Sequence, residues 1–359
     1  MSLAYKPDWE EAKRRYRAWW AGEALDRCLL WVVAPKAGPP HAEPPSAPTD
    51  PVGRWTDLDY IAERNDYQME RTFYGAEAFP IWSGGYPGHT AIPAYLGCPT
   101  TLDGATGWWH PILREEDFDV RQLRIDTEGR WWKFNLDLLR RAVRECPGRS
   151  IPSLGAFGGS GDTLAALRGT DKLLYDVLER PARVRAAELC LMRMWIEVYQ
   201  RFYNILHETA QGSTCWFPLW SPGKLYAAQC DFCCMISTRI FEELFIPAIE
   251  MQTAFLDHSV FHADGEGAFR HVPALCELPR LHAIQVAPEA GKPDALYYME
   301  TLKHVQARRK NLWIHLAPNR IEEALANLSA RGLYISTSCQ TEAEAQAVIE
   351  NAKKWSRDR

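Results

Sequence analysis

The sequence predicts an α/β fold, a (β/α)₈ TIM barrel built as one domain. Three observations carry this expectation. From about residue 131 onward, short apolar runs of strand length alternate with amphipathic helical patterns. The runs are apolar on both faces, as in a parallel sheet covered by helices. Unusual residues gather in the turns that follow the strands, which is where barrels of this kind place their chemistry.

Residues 5–25 read as an amphipathic helix with an extra role outside the barrel, and 28–34 (CLLWVVA) as a first buried strand. The segment 35–51 is too rich in Pro and too poor in apolar residues for helix or strand, so it reads as a loop within the domain. Residues 1–55 thus form an N-terminal helix, strand and Pro-rich loop, and 56–355 the barrel body. Residues 56–74 look helical, and 78–109 irregular. Helices follow at 131–145, 163–178, 182–208, 238–256, 268–277, 295–308, 321–329 and 341–354. Strands are expected at 151–154, 213–219, 259–262, 282–287, 312–316 and 333–337.

At 359 residues and 47% hydrophobic, the chain can bury a large core. A net charge of −5 without a sustained Lys/Arg block argues against nucleic acid or an anionic membrane as partner, leaving a small molecule as the expected substrate. No stretch approaches the roughly 20 apolar residues of a membrane span, and the first residues lack a secretory apolar region. Ten scattered cysteines fit reduced thiols in a cytoplasmic protein. Oligomeric state is left open. An aromatic share of 12% is enough to line a cavity as well as a core.

The most informative constellation is His262-Ala-Asp264-Gly-Glu266-Gly, with Cys339 some 75 residues later at the end of another apolar run. Side chains at i and i+2 of a strand share a face, so His262 and Asp264 aim together. A barrel mouth that also gathers Cys339 would supply three ligands for Zn²⁺, with the fourth position left open. The alternative is a plain strand-to-turn segment in which Asp264 bonds turn amides and His262 is a satisfied buried histidine.

Other candidates lie on the same loops. GAFGGSGD (155–162) could cradle an anion with backbone amides, although it lacks the Lys-Ser/Thr end of a nucleotide loop. Asp162 serves either as an N-cap for the next helix or as a general base, and Glu266 is a second catalytic candidate. Arg168 could pair with Asp162 or a substrate acid. Tyr226, Asp231 and Gln285 are expected substrate contacts, with Trp109 and His110 as an aromatic lid. His315 reads as core. Cys230-x-x-Cys233-Cys234 reads as buried small hydrophobes, since no second pair or nearby His completes a metal site.

Three stretches, PLWSPGKLYAAQCDFCCMIS (218–237), FLDHSVFHADGEGAFRHVPALCELPRLHAIQV (255–286) and GLYISTSCQTEAEAQ (332–346), resemble the uroporphyrinogen decarboxylase superfamily. That superfamily also contains zinc-dependent, corrinoid-linked methyltransferases. The resemblance implies a barrel with its pocket at the C-terminal mouth. It also implies a zinc site in which His262 and Asp264 stand where the methyltransferases have His-x-Cys, and Cys339 where they have a later Cys. A carboxylate in place of the thiolate would leave the zinc more tolerant of oxygen ligands. The implied activity is methyl transfer between a corrinoid carried by a partner protein and a thiol or methoxy compound. The decarboxylase side matches less well, because KRRYRAWW (13–20) departs from the Arg-rich motif RQAGRY that grips substrate carboxylates. Two further readings stand beside it. One is a metal-free lyase acting on a carboxylated or tetrapyrrole substrate with Asp162 and His262 as acid and base, and the other a non-catalytic binder of a tetrapyrrole or sugar.

Overall fold

The computed structural model describes residues 2–38, 43–85, 87–115 and 118–358. Residues 39–42 of the Pro-rich loop therefore lie outside the described residues. The strands are β1 Leu29–Pro35, β2 Thr72–Ala76, β3 Ile81–Trp82, β4 Thr100–Leu102, β5 Gly107–Trp109, β6 Ile151–Pro152 and β7 Ser213–Thr214. They continue with β8 Trp220–Ser221, β9 Leu225–Gln229, β10 His258–Asp264, β11 Ala283–Ala287, β12 Asn311–His315 and β13 Leu333–Ser338.

Seven of these form one sheet in the order β2-β1-β13-β12-β11-β10-β9, parallel throughout except for β2. Helices follow the parallel strands, so the architecture is mixed α/β with a central parallel sheet, as the alternating pattern predicts. The sheet does not close. β3 pairs only with β6, over two residues, and among the described residues a single backbone bond, from the Leu154 amide to the Thr214 carbonyl, links that pair to β7. The closed barrel ladder expected from sequence is absent among the described residues, and its weak quarter has a local cause. Pro80 precedes β3 and Pro152 ends β6, and a proline has no N–H to donate to a ladder.

Several boundaries also differ. The helical stretch expected at 56–74 is two helices, Pro51–Thr56 and Leu58–Glu70, followed by β2, whose antiparallel pairing with β1 overrides the helical pattern. The strand expected at 213–219 stops after two residues, and β9 takes its place in the sheet, completely buried up to Ala228. The helix expected at 163–178 breaks at Gly169, whose φ of 91° is open to glycine. The one at 238–256 carries a π-helical turn at Phe241–Phe245, just before Pro247.

Helix Trp9–Trp20 lies across the N-terminal ends of the strands. The Trp19 indole donates to the Gly332 carbonyl ahead of β13, and the Asn311 amide at the start of β12 donates to the Trp19 carbonyl. Beside it, Arg27 and Glu77 form a buried two-pronged ion pair at 2.7 Å, and Glu77 also accepts from the Leu30 amide of β1. With that end closed, the strands' C-terminal ends carry the open loops. None of the described helices is long and apolar enough to cross a membrane.

Candidate active site

At the C-terminal ends of the sheet, a row of polar side chains crosses three strands. Gln229 of β9, His262 of β10 and Gln285 of β11 are register partners, so they stand side by side at one level. His262 Nδ1 lies 2.5 Å from Gln285 Oε1; the oxygen can only accept, which puts the proton on Nδ1 and leaves the Nε2 lone pair free to accept a proton. Trp216 and Phe217, from the loop after β7, pack edge-on against the imidazole at 5.5 and 5.3 Å. Gln285 thus positions His262, and it stands outside the lining of the cavity that Asp162 and Asp231 share.

Gln229 reaches the other way, its amide donating to Asp162 Oδ2 at 3.1 Å. The Phe232 amide donates to Asp162 Oδ1 at 3.0 Å. Asp162 opens helix Asp162–Arg168, but Gly161 is the N-cap and no side chain caps the helix. The carboxylate is therefore aimed across the loop at β9, which removes the capping role expected as an alternative. Burial, then the neighbouring charge of Asp231, push its carboxyl up to about 7. Asp231 is raised as well, by burial and by Asp264, against a lowering contribution from His262. The fields of Asp162, Asp231, His262 and Asp264 thus overlap at one end of the sheet.

Two glycines make the approach of Asp162 to β9 feasible. A Cβ on Gly159 would sit 2.8 Å from the Gln229 carbonyl oxygen, and one on Gly161 would sit 2.5 Å from Cys230 Sγ. Gly161 also has φ of 75°. Behind the loop, the buried Glu188 of helix Pro181–Ala210 accepts from Ser160 Oγ at 2.7 Å and from the Gly161 amide at 2.9 Å. Burial raises the Glu188 carboxyl to about 7. The Gly-rich loop therefore holds a carboxylic acid with its amide, not an external anion at this point. Glu188 escaped the sequence reading although it left a signal, since it interrupts the buried stripe Val184, Ala187, Leu191, Met192 and Trp195.

Asp162, Gln229 and Asp231 open into a cavity of about 560 Å³. Its walls include Trp108, Trp109, Phe232 and Met235, with Thr163 and Thr170, and among the described residues no Lys, Arg or His lines it. That volume suits a small organic ligand. Trp109 is fixed by its indole N–H on the Gly88 carbonyl at 3.1 Å, while Trp108 is 52% exposed at the rim.

Several expected site residues lie elsewhere. Arg168 is buried under the site, its guanidinium on Asp176 at 2.7 Å and on the Leu113 and Glu115 carbonyls at 2.8 Å, so it anchors the loop that precedes residue 116 and reaches no ligand. Tyr226 is buried, its hydroxyl accepting from the Phe157 amide, so it fixes the Gly-rich loop instead of touching substrate. His110 is exposed and bonded to Thr101 Oγ1 at 2.8 Å, apart from the cavity that its neighbour Trp109 lines. Glu266 is at the rim, engaged by Tyr298 at 3.2 Å and Lys292 at 3.5 Å. His315, expected in the core, ends β12 exposed and bonded to Ser336.

The proposed zinc set is not assembled. Among the described residues no three His, Cys, Asp or Glu side chains are grouped so as to hold a metal ion. Cys339 follows β13, three strands away from β10, with its amide on the Val33 carbonyl. Burial and then Glu344 push its thiol up to about 11. His262 alone is oriented as a ligand would be. Cys230, Cys233 and Cys234 lie between Asp162 and Asp264, with Cys234 Sγ at 3.6 Å from the Asp264 carbonyl, and the first two are buried as expected.

No protein-family model matches the chain, and no curated protein matches it in sequence. Among solved structures, the fold is similar to that of a methyltransferase from Methanosarcina mazei, with a TM-score of 0.62 and 11% identity over 96% of this chain and 98% of that one. The likeness extends over the whole length of both chains, and at that identity it is a likeness of fold.

Proposed function

We propose that this chain is an enzyme that moves a methyl group to or from a small substrate held in the Asp162–Asp231 cavity. The observation that supports catalysis there is a pair of carboxyl groups on one cavity, free of any Lys or Arg partner among the described residues, with one of them held at about 7. A carboxyl poised near neutrality can serve as acid or base at physiological pH. The whole-length likeness of fold to a methyltransferase supports this reaction class.

In the direction of methylation, the bond between methyl carbon and its donor breaks as the substrate heteroatom attacks. The heteroatom's proton passes to the ionised carboxyl pair. In reverse, the protonated pair gives a proton to the departing heteroatom. Gln229 and the Phe232 amide hold Asp162 in place for either step. His262, oriented by Gln285, stands outside the cavity lining and bears on the site through its charge interaction with Asp231. The other reactant, a methyl group on a corrinoid carried by a partner protein or a thiol acceptor, enters at the open mouth in this reading. Because the residues do not fit a zinc ion, no step is assigned to one.

The lyase reading finds less support. A polycarboxylated substrate needs cationic partners, since an unpaired buried carboxylate is costly, and none lines the cavity among the described residues. The test is methyl exchange between methylcobalamin and a panel of thiols, phenols and amines, followed by mass spectrometry, with and without chelator. Chelator-insensitive transfer that Asp162→Asn reduces about 10²–10⁴-fold is expected. Release of CO₂ from a carboxylic acid panel, with methyl transfer absent, would overturn the proposal.

A further inference from the structure

We infer that the ligand of this cavity is a small N-methylated ammonium compound, recognised by its positive charge and its methyl groups together. The inference rests on reading the cavity as the substrate site, and it concerns recognition only, with no bond made or broken.

Three features of the wall point to this chemistry. Two carboxyl groups face the space, and among the described residues no Lys, Arg or His lines it to offset them. Asp231 is exposed at the cavity's edge, within the field of His262, and Asp162 is held by Gln229 and the Phe232 amide, so no cationic side chain is bonded to either carboxyl. A cation in the cavity would favour the ionised form of both. Second, the rest of the wall is apolar and aromatic: Trp108, Trp109, Phe232 and Met235. An indole face attracts a cation that carries little hydration, and methylated ammonium groups, unlike a bare ammonium, shed water readily and present apolar methyls to the ring. Third, about 560 Å³ is room for a compact onium headgroup with space beside it for a second reactant.

Competing ligand classes fit the wall less well. An anion would meet two carboxyls and no cation. A primary ammonium or a metal ion asks for more oxygen ligands than the wall supplies, and most of the wall is carbon. A neutral aromatic ether would fill the apolar part but leave both carboxyls unanswered.

The experiment is isothermal titration of the full chain at pH 7.5 with choline, with its uncharged carbon isostere 3,3-dimethyl-1-butanol, and with butyrate. Choline should bind at least about tenfold more tightly than the isostere, and butyrate least. Asp231→Asn should remove most of the choline advantage while leaving the isostere unchanged, and Trp109→Leu should weaken choline by about tenfold. Equal affinity for choline and the isostere, tighter binding of butyrate, or no binding of any of the three overturns the inference. Because no turnover is read, the outcomes separate. Choline binding without methyl transfer to any acceptor leaves the inference standing and sinks the proposed reaction. Methyl transfer to a substrate of another class, without choline binding, does the reverse.

Discussion

Replacing Glu188 by Gln should stabilise the protein at alkaline pH and leave it unchanged in acid. Glu188 is 2% exposed, and its carboxyl is raised to about 7 from an ordinary 4.5, by burial first. For an acid raised in the folded state, the folded protein binds the proton more tightly than the unfolded chain. Stability is therefore full below about pH 4.5, falls as pH climbs towards 7, and levels off above it. At 1.36 kcal/mol per pH unit, the span from 4.5 to about 7 corresponds to about 3 kcal/mol lost by pH 9. Gln keeps the acceptor that Ser160 Oγ and the Gly161 amide use, and the position of its NH₂ is already without a partner, since Glu188 Oε1 has none. The two side chains are then equivalent in acid and differ only where Glu188 must ionise. Urea unfolding of both proteins at pH 4.5, 7 and 9 measures this. A difference that is small at pH 4.5, nearly complete at pH 7 and little larger at pH 9 is expected; a difference that is the same at all three values would refute the account of Glu188 as a buried neutral acid.

Three further outcomes follow from the site. Arg168→Met should destabilise by about 3–5 kcal/mol, because Asp176 is left buried beside only the half-exposed Arg180, and it should leave choline affinity within about twofold in protein that remains folded. Gln285→Leu frees His262 Nδ1 and should lower turnover with little change in KM, while Gln285→Glu, which still accepts from Nδ1, should recover most of it. Elemental analysis of chelator-free wild-type protein and Cys339→Ala should give the same zinc content, because Cys339 stands apart from His262; stoichiometric zinc that Cys339→Ala abolishes would restore the three-ligand site.

What was legible in the sequence was what local periodicity encodes. β10 to β13 are strongly patterned, and their expected limits hold to within a residue or two, whereas the helix expected at 268–277 is two short ones, Gly265–Phe269 and Val272–Cys276. His262 and Asp264 stand at one sheet end because strand alternation requires it, and Asp162 was legible as a carboxylate on a Gly-rich turn. β9 was not, because LYAAQ lacks β-branched residues and takes its strand state from pairing with β10. Barrel closure was overestimated because periodicity reports that segments are strand-like, not that their amides are free to pair; Pro80 and Pro152 decide that locally. Arg168 and Tyr226 were misread for a related reason. An Arg or Tyr near a functional loop carries the same sequence signal whether it faces the ligand or, as here, ties the loop down from behind.

The same distinction explains why the chemistry shifts from the His-x-Asp strand to the neighbouring carboxyl pair. Metal ligation needs three side chains to converge, a tertiary condition that Cys339, held next to β1 and Glu344, does not meet. Proton transfer needs only one group poised near neutrality with an opening to the ligand. Asp162 meets that through a single local device: glycines at 159 and 161 let the loop approach β9 closely enough for Gln229 and the Phe232 amide to seize the carboxylate. Adding one carbon at Gly159 would drive it against the Gln229 carbonyl, at 2.8 Å, and push the loop off the strand. Gly159→Ala should thus lower turnover while Asp162 itself remains, and a variant with unchanged kinetics would show that the loop's approach to β9 does not matter to catalysis.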